Sequence, residues 1–421
     1  MPCLVRRRLD TFRMCLRRVE LMLKLSKLYN WKSVCRLCGS KQNLCIDEIS
    51  SLVVPSKYPL KEDLKVTLCN SCGFVGNLSS STLSDYKKYY TDFNKHHVRD
   101  GYLEKLDKDY FNKIFNIIKS YDHKIIEGAT ILDFGSGAKL LSQIARSKGA
   151  KICESLDVGH RIANRKYDIV ITTHTFEHIL NFNMELSRIE AMLKNEGLCL
   201  IAVPDLRGYN DYYYGPFNCF DLEHVNHFDF ETLSLALEKN HLVPQKVLES
   251  HRLVNEALAY PEVLILAKKT RTQTKKRHKT IRQPRKEVLS SYIRKSKHDI
   301  KMSLKYASNK YKIFNKKAAL YGIYGLSSSA FRFLKIAKKE IGNIKFDWFA
   351  DSDNRLNKKR IFEIPILNKK EFINYAKINR SKTIIAFIVA VNAHRIVRML
   401  KNCKLNNLKI MQVPPRCKNR L

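Results

Sequence analysis

Four cysteines in two Cys-x-x-Cys units, Cys35-Arg-Leu-Cys38 and Cys69-Asn-Ser-Cys72, carry the plainest chemistry in this chain. A two-residue spacer lets a tight turn aim two thiolates at one ion. Two such turns, about thirty residues apart, complete a closed tetrahedral shell of the kind that holds structural zinc. Four thiolates leave no position open for a reacting water, so the metal is expected to brace the fold and not to catalyse. Cys45 lies between the units without a partner and is read as a packing residue.

A second group begins with Ile131-Leu-Asp-Phe-Gly-Ser-Gly137, a buried strand pattern that closes on a glycine turn. Bare backbone N–H groups at Gly135 and Gly137 can approach an anionic or polar cofactor at the start of the next helix. Asp157 follows at about the twenty-residue distance expected of an acid that takes both hydroxyls of a ribose, with Glu154 as the fallback. Further on come Thr172-Thr-His-Thr-Phe-Glu-His178 and Phe220-Asp-Leu-Glu-His-Val-Asn-His-Phe-Asp-Phe230, where histidines and acids cluster. An imidazole, with an ordinary pKa near ~6.5, can accept a proton at neutral pH.

The elements that must position these groups alternate in type. The apolar spacing predicts a helix over 107–121, a strand over 130–134, a helix over 140–147, strands over 149–157 and 168–172, a helix over 184–194 and a strand over 197–203. Strands alternating with helices imply a mainly parallel sheet with right-handed crossovers. Glu262 to Ala267 is expected to close it as an edge strand, and a helix is expected to start near Glu231. Only about eleven residues separate Asp157 from Asp168, too few for a further strand and helix between them, so the sheet is expected to be short on that side. Tyr209 to Tyr214 offers rings that can stack on a sugar or base, or serve as a lid. Thr270 to Lys317 reads as a basic, solvated linker helix, and Ala318 to Gly325 opens a second strand–turn–helix unit, continued at 327–337, 346–351, 361–367 and 383–391.

Composition bounds the class. At 421 residues, 44% apolar and 10% aromatic, the chain is globular and too long for one ordinary core. Its formal charge of +37 has two readings, lysine-rich solvated faces or a polyanionic partner. The basic residues are densest at 1–32, which includes Arg6, Arg7, Arg8, Arg13, Arg17 and Arg18, and at 268–317. No apolar run approaches the ~20 residues of a membrane-spanning helix. Arg17, Arg18, Glu20 and Lys24 interrupt any secretory core, so the start is expected to be a targeting arm or a plain extension. Twelve cysteines, four of them in Cys-x-x-Cys units, suit a reducing cytoplasm with bound metal.

Taken in order, the segments 131–137, 166–178 and 197–205 resemble the class I S-adenosylmethionine-dependent methyltransferases, over roughly 102–269. The resemblance implies S-adenosylmethionine as cofactor, held by Asp133, Gly135, Gly137, Asp157 and Thr173. It also makes His178, in the familiar Glu177-His178 pair, a catalytic candidate. Lys139 departs from the pattern, standing where a third glycine is usual. With the cysteine units before it and the second unit after it, the chain resembles the three-domain sugar C-methyltransferases. Their acceptor segment reads Tyr-His-Glu-His; here Glu223-His224 align with its last two positions while Asp221 and Leu222 replace the first two. That leaves His224 as the base and Glu223 to orient it or to contact a sugar hydroxyl.

The expected fold is therefore α/β, with a Rossmann-like methyltransferase core at 100–269. A basic extension at 1–32 and a four-cysteine zinc module at 33–80 precede the core. A basic helical linker at 270–317 and a second Rossmann-like domain at 318–414 follow it. In that second domain Gly325-Leu-Ser-Ser-Ser-Ala330 lacks the later glycines of a dinucleotide fingerprint, so it is read as structural or substrate-shaping. The resemblance implies a nucleotide-linked keto sugar as acceptor, methylated on carbon, with O-methylation of a related sugar open. RNA methylation is the second choice, which the zinc module and charge would suit. A third reading is a degenerate binding protein of the same fold. Oligomeric state is left open.

Overall fold

The structure is a computed structural model that describes residues 34–41, 43–49, 52–93, 101–135, 140–160, 165–255, 258–270, 283–314, 319–340, 345–390 and 393–413. The extension at 1–32, Gly137, Lys139 and the front of the linker lie outside these residues.

The cysteine module is a small antiparallel sheet of β1 (Asn43–Glu48), β2 (Lys65–Cys69) and β3 (Val75–Leu78), followed by helix α1 (Leu83–Phe93). The core then runs through α2 (Gly101–Lys119), β4 (Thr130–Phe134), α3 (Leu140–Ser147), β5 (Ile152–Leu156), β6 (Tyr167–Thr173), α4 (Phe182–Met192) and β7 (Leu193–Pro204). After these come β8 (Asn226–His227), α5 (Phe230–Glu238), β9 (Leu242–Asn255) and β10 (Leu258–Lys269). The main sheet has the order β5-β4-β6-β7-β10-β9, parallel from β5 to β7, with β10 antiparallel to both its neighbours. Ile131, Ile169, Leu200 and Leu264 face one helical layer, and Leu132, Val170, Ile201 and Val263 face the other. Such two-sided burial is what makes these strands read as unbroken apolar runs.

Two expectations for this sheet fare differently. Among the described residues no strand flanks β5 on its outer side, as the short spacing required. The strand at 262–267 is not the edge, however. That place belongs to β9, whose alternating Gln245, Glu249 and His251 look like loop in sequence because one of its faces meets water. The core lends β8 to the module, where Val75 pairs with His227 and Gly76 with Asn226. Module and core thus share a sheet.

Helix α6 (Gln283–Phe314) is not the solvated linker expected of its charge. Leu289, Tyr292, Ile293, Ser296, Ile300, Leu304 and Ala307 are buried at helical spacing, and the lysines lie opposite. The helix packs against Tyr209, Tyr213 and Phe220. Beyond it, β11 (Ala319–Tyr324), α7 (Ser328–Glu340), β12 (Trp348–Ala350), β13 (Arg360–Ile361), β14 (Ile364–Leu367), α8 (Lys369–Ile378), β15 (Thr383–Ile388), α9 (Ala393–Asn402) and β16 (Leu408–Gln412) build a second six-stranded sheet. It is parallel apart from the β13–β14 hairpin. That hairpin replaces the single strand expected at 361–367, because Phe362 and Glu363 take positive φ angles of 48° and 65° and reverse the chain. Among the described residues no helix is long and apolar enough to cross a membrane.

Candidate active site

Each cysteine pair sits on a tight turn. Gly39 N–H donates to the Cys35 carbonyl at 2.8 Å, and Gly73 N–H to the Cys69 carbonyl at 2.9 Å. The Sγ atoms of Cys35 and Cys72 lie 3.6 Å apart, as do those of Cys38 and Cys69. All four fall within 4.8 Å of one another. Sulfurs around a tetrahedral zinc, each bonded at ~2.3 Å, stand about 3.8 Å apart, so the four fit that ion. Cys45 is exposed on β1 and is no packing residue. Protein purified without chelator is expected to carry one zinc per chain, lost when all four cysteines become serine. Full metal content after that change would place the ion elsewhere.

The residues expected to hold the donor lie at the carboxyl ends of β4, β5 and β6, where an open α/β sheet presents its loops. Asp133 is buried on β4. Gly135 ends that strand with φ +81°, and its N–H donates to the Leu156 carbonyl at 2.8 Å. Asp157, the next residue after Leu156, is exposed, with Oδ1 accepting from Val158 N–H at 2.8 Å. Glycine turn and acid therefore stand side by side, an arrangement that suits a nucleoside with a polar tail. Glu154, the fallback, is engaged by Arg165 and by the Tyr167 hydroxyl at 2.5 Å. Thr173 is half-buried at the end of β6, and its carbonyl accepts from the Thr175 hydroxyl at 3.2 Å.

From that same strand end a short turn, Phe176–His178, opens the acid–base cluster. His178 Nδ1 lies 3.1 Å from the Glu223 carbonyl, and its ring stands edge-on to His224 with centroids 4.7 Å apart. Glu223 accepts from the Tyr89 hydroxyl at 3.1 Å. The three sequence candidates His178, Glu223 and His224 are thus brought together. Burial first, and then the charge of His178, hold His224 down at about 4, so its ring is neutral at physiological pH.

Two residues of this cluster were missed in sequence, His174 and Glu262. His174 has φ +50° and sits between two buried carboxylates, with Nε2 at 2.9 Å from Glu262 and Nδ1 at 3.4 Å from Glu177. Burial alone would lower its pKa, but the hydrogen bonds to Glu177 and Glu262 raise it. Glu177, which burial alone would raise, is held near 2 by His174 and the other imidazoles. Tyr110 donates to Glu262 from α2. A left-handed histidine just past a strand was the available signal, but φ is not legible in sequence.

The segment bearing Glu223 and His224 is gripped from every side. From the second sheet's helix, Ser328 donates to Asp221 at 2.6 Å, Ser329 to Asn218 at 2.8 Å, and Arg332 to the carbonyls of Phe217 and Phe220. From α6, the Tyr292 hydroxyl accepts from Cys219 N–H at 3.0 Å and Ser296 from Phe217 N–H at 3.1 Å. From the module, Asn77 Nδ2 donates to the His224 carbonyl at 2.7 Å. Tyr209, Tyr213 and Tyr214 are buried among these contacts, which corrects the expectation of a stacking lid. In the second sheet Asp351 accepts from Leu326 and Asp353 N–H groups, so its carboxylate closes its own turn.

A doubly wound sheet with a glycine turn after its first strand and an acid after its second resembles the frame of the class I S-adenosylmethionine-dependent methyltransferases, from which it departs in having no strand outside β5 among the described residues. Residues 106–246 match the family described as methyltransferase domain, and the chain carries such a domain. Among solved structures it is similar to the 1,6-didemethyltoxoflavin-N1-methyltransferase of Burkholderia thailandensis, at 14% identity over 47% of this chain and 96% of that one, TM-score 0.33. It is also similar to the magnesium protoporphyrin IX methyltransferase of Synechocystis PCC 6803, at 10% identity over 45% of this chain and 95% of that one, TM-score 0.30. Both of those structures hold S-adenosylhomocysteine. A comparison with curated proteins finds no sequence match.

Proposed function

We propose that this protein transfers a methyl group from S-adenosylmethionine to a nucleotide-linked sugar, at the carbon beside a ketone. The observation that supports this reading is the segment 217–224, which sets Glu223 and His224 against His178 while the zinc module, α6 and the second sheet hold it. S-adenosylmethionine, when bound, supplies an electrophilic methyl group; Asp133, Gly135 and Thr173 would hold its methionyl end and Asp157 its ribose. Gly137 would join them. His224, neutral and beside a strand end, takes the proton from the carbon next to the ketone. Glu223 orients it or meets a sugar hydroxyl. The second sheet, as a Rossmann-like domain over 318–414, shapes the acceptor side through Ser328, Ser329 and Arg332, with its own acid already spent on its turn.

The test is calorimetric binding of S-adenosylmethionine to the full chain, followed by transfer of labelled methyl to nucleotide-linked keto sugars. Binding together with label on a sugar carbon is the expected result. A chain that binds no donor would be the degenerate binding protein. Label entering RNA, with affinity falling steeply as salt rises, would replace the sugar reading.

A further inference from the structure

Arg36 sits inside the first metal-binding turn, between Cys35 and Cys38, yet its side chain leaves that turn and is 6% exposed. Its guanidinium donates to the Asn77 carbonyl from Nη1 and Nη2, both at 3.1 Å, and to the carbonyl of Val225. Nε has no hydrogen-bond partner among the described residues, and none of the ion pairs described there involves Arg36. A buried cation met only by carbonyls is costly, so one expects a return for it. The fold makes room for it as well: a Cβ on Gly76 would lie 2.5 Å from Arg36 Nη2.

The far end of this strut is the Val225 carbonyl, one residue past His224. The Val225 carbonyl also accepts from Asn77 N–H at 2.9 Å, and Val225 N–H donates to the Glu177 carbonyl at 2.8 Å. Asn77 Nδ2 completes the hold through the His224 carbonyl at 2.7 Å. The His224–Val225 peptide is therefore pinned by Glu177 from the core and by Asn77 from the cysteine module, and Arg36 holds the peptide that follows it through the Val225 carbonyl. Fastening the module to the core does not need Arg36. Asn183 Nδ2 donates to the Arg36 carbonyl and Lys239 Nζ to the Leu37 carbonyl, both at 2.6 Å, and β3 pairs with β8.

We propose that Arg36 is a positioning residue that carries the placement of the four-cysteine turn into the main chain of His224, so that the zinc module sets the reach of the base. The inference rests on the reading of His224 as the base of the methyl transfer. Its test is Arg36→Met in the zinc-loaded full chain, an unbranched side chain without donors. Zinc content, S-adenosylmethionine affinity and acceptor KM should stay near those of the unchanged protein. Turnover should fall by about 10-fold to 100-fold, the scale of a small misplacement of a reacting group. In protein labelled on the histidine rings, the His224 resonance should move while that of exposed His251 does not, and Arg36→Lys should restore part of both effects.

If Arg36→Met fails to fold, Asn77→Ala removes the bond to the His224 carbonyl with Arg36 in place, and should move the same resonance. An unmoved His224 resonance in either folded variant would overturn the proposal. So would loss of zinc in Arg36→Met, which would assign Arg36 to holding the turn. The resonance needs no acceptor. A displaced His224 signal in a protein that methylates no keto sugar would keep the strut and reject the sugar reading.

Discussion

Replacing His224 with alanine is expected to lower methyl transfer by ~10²–10⁴-fold, the range of a lost general base, and to leave donor affinity near that of the unchanged protein. The split follows from the contacts, because the His224 ring stands against His178 and Glu177, whereas the glycine turn is built on Gly135 and Leu156. Its pH signature is unusual. Held at about 4, the ring keeps its proton-accepting form at every pH above that value. The acid limb of the rate profile should therefore rise through pH ~4 and not through the ~6.5 of an ordinary histidine. Burial lowers the ring's pKa most; among the charged groups acting on it, His178 and His174 lower it further while Glu177 and Asp221 raise it. Undiminished turnover in His224→Ala would move the role to another histidine of the cluster. Glu223→Gln should cost less, since its part is to orient the ring or to meet a sugar hydroxyl and not to take the proton.

The same shifts act on stability, with opposite signs for the two histidines. His224 takes up a proton more readily unfolded than folded, so its contribution is present above ~6.5 and is lost as pH falls towards 4. His174 is raised in the fold by its carboxylates. Its contribution is full below the ordinary histidine value and is lost as pH rises through the raised one.

The four-cysteine cluster and the first four strands of the core were legible because both follow from spacing: two residues between thiols, and apolar runs closed by glycine. Edge and surface features were not. β9 has one face in water, so Gln245, Glu249 and His251 break its pattern. The charge of α6 hid a buried stripe, since lysines on three faces outweigh Leu289, Tyr292 and Leu304 on the fourth. At the acceptor segment, sequence showed that Asp221 and Leu222 depart from the resembling motif but not where the change leads. Asp221 accepts from Ser328 and Leu222 is buried, so both positions serve the seam with the second sheet. His174 and Glu262 are distant in sequence and meet only because β10 returns beside β7.

Gly135→Val should abolish donor binding in calorimetry. The position takes φ +81°, which a branched residue adopts only under strain of ~1–3 kcal/mol. Space forbids the change as well: a Cβ there would lie 2.3 Å from Thr175 Cγ2 and 2.6 Å from Thr175 Oγ1. Thr175 cannot yield freely, because it leads into the Phe176–His178 turn and its hydroxyl is bonded to the Thr173 carbonyl. The clash is thus passed to Thr173 on the donor side and to Glu177 and His178 on the acceptor side. Gly135→Ala carries the same first carbon and should also lose binding, and a second change, Thr175→Ala, should return part of it by clearing both close contacts. Asp157→Ala offers the contrast. It removes a carboxylate from an exposed strand end without a clash, so affinity should fall by ~1.5–3 kcal/mol, the scale of hydrogen bonds to a charged group, while the fold stays intact. Unchanged donor affinity in both Gly135→Val and Asp157→Ala would place the cofactor away from this turn.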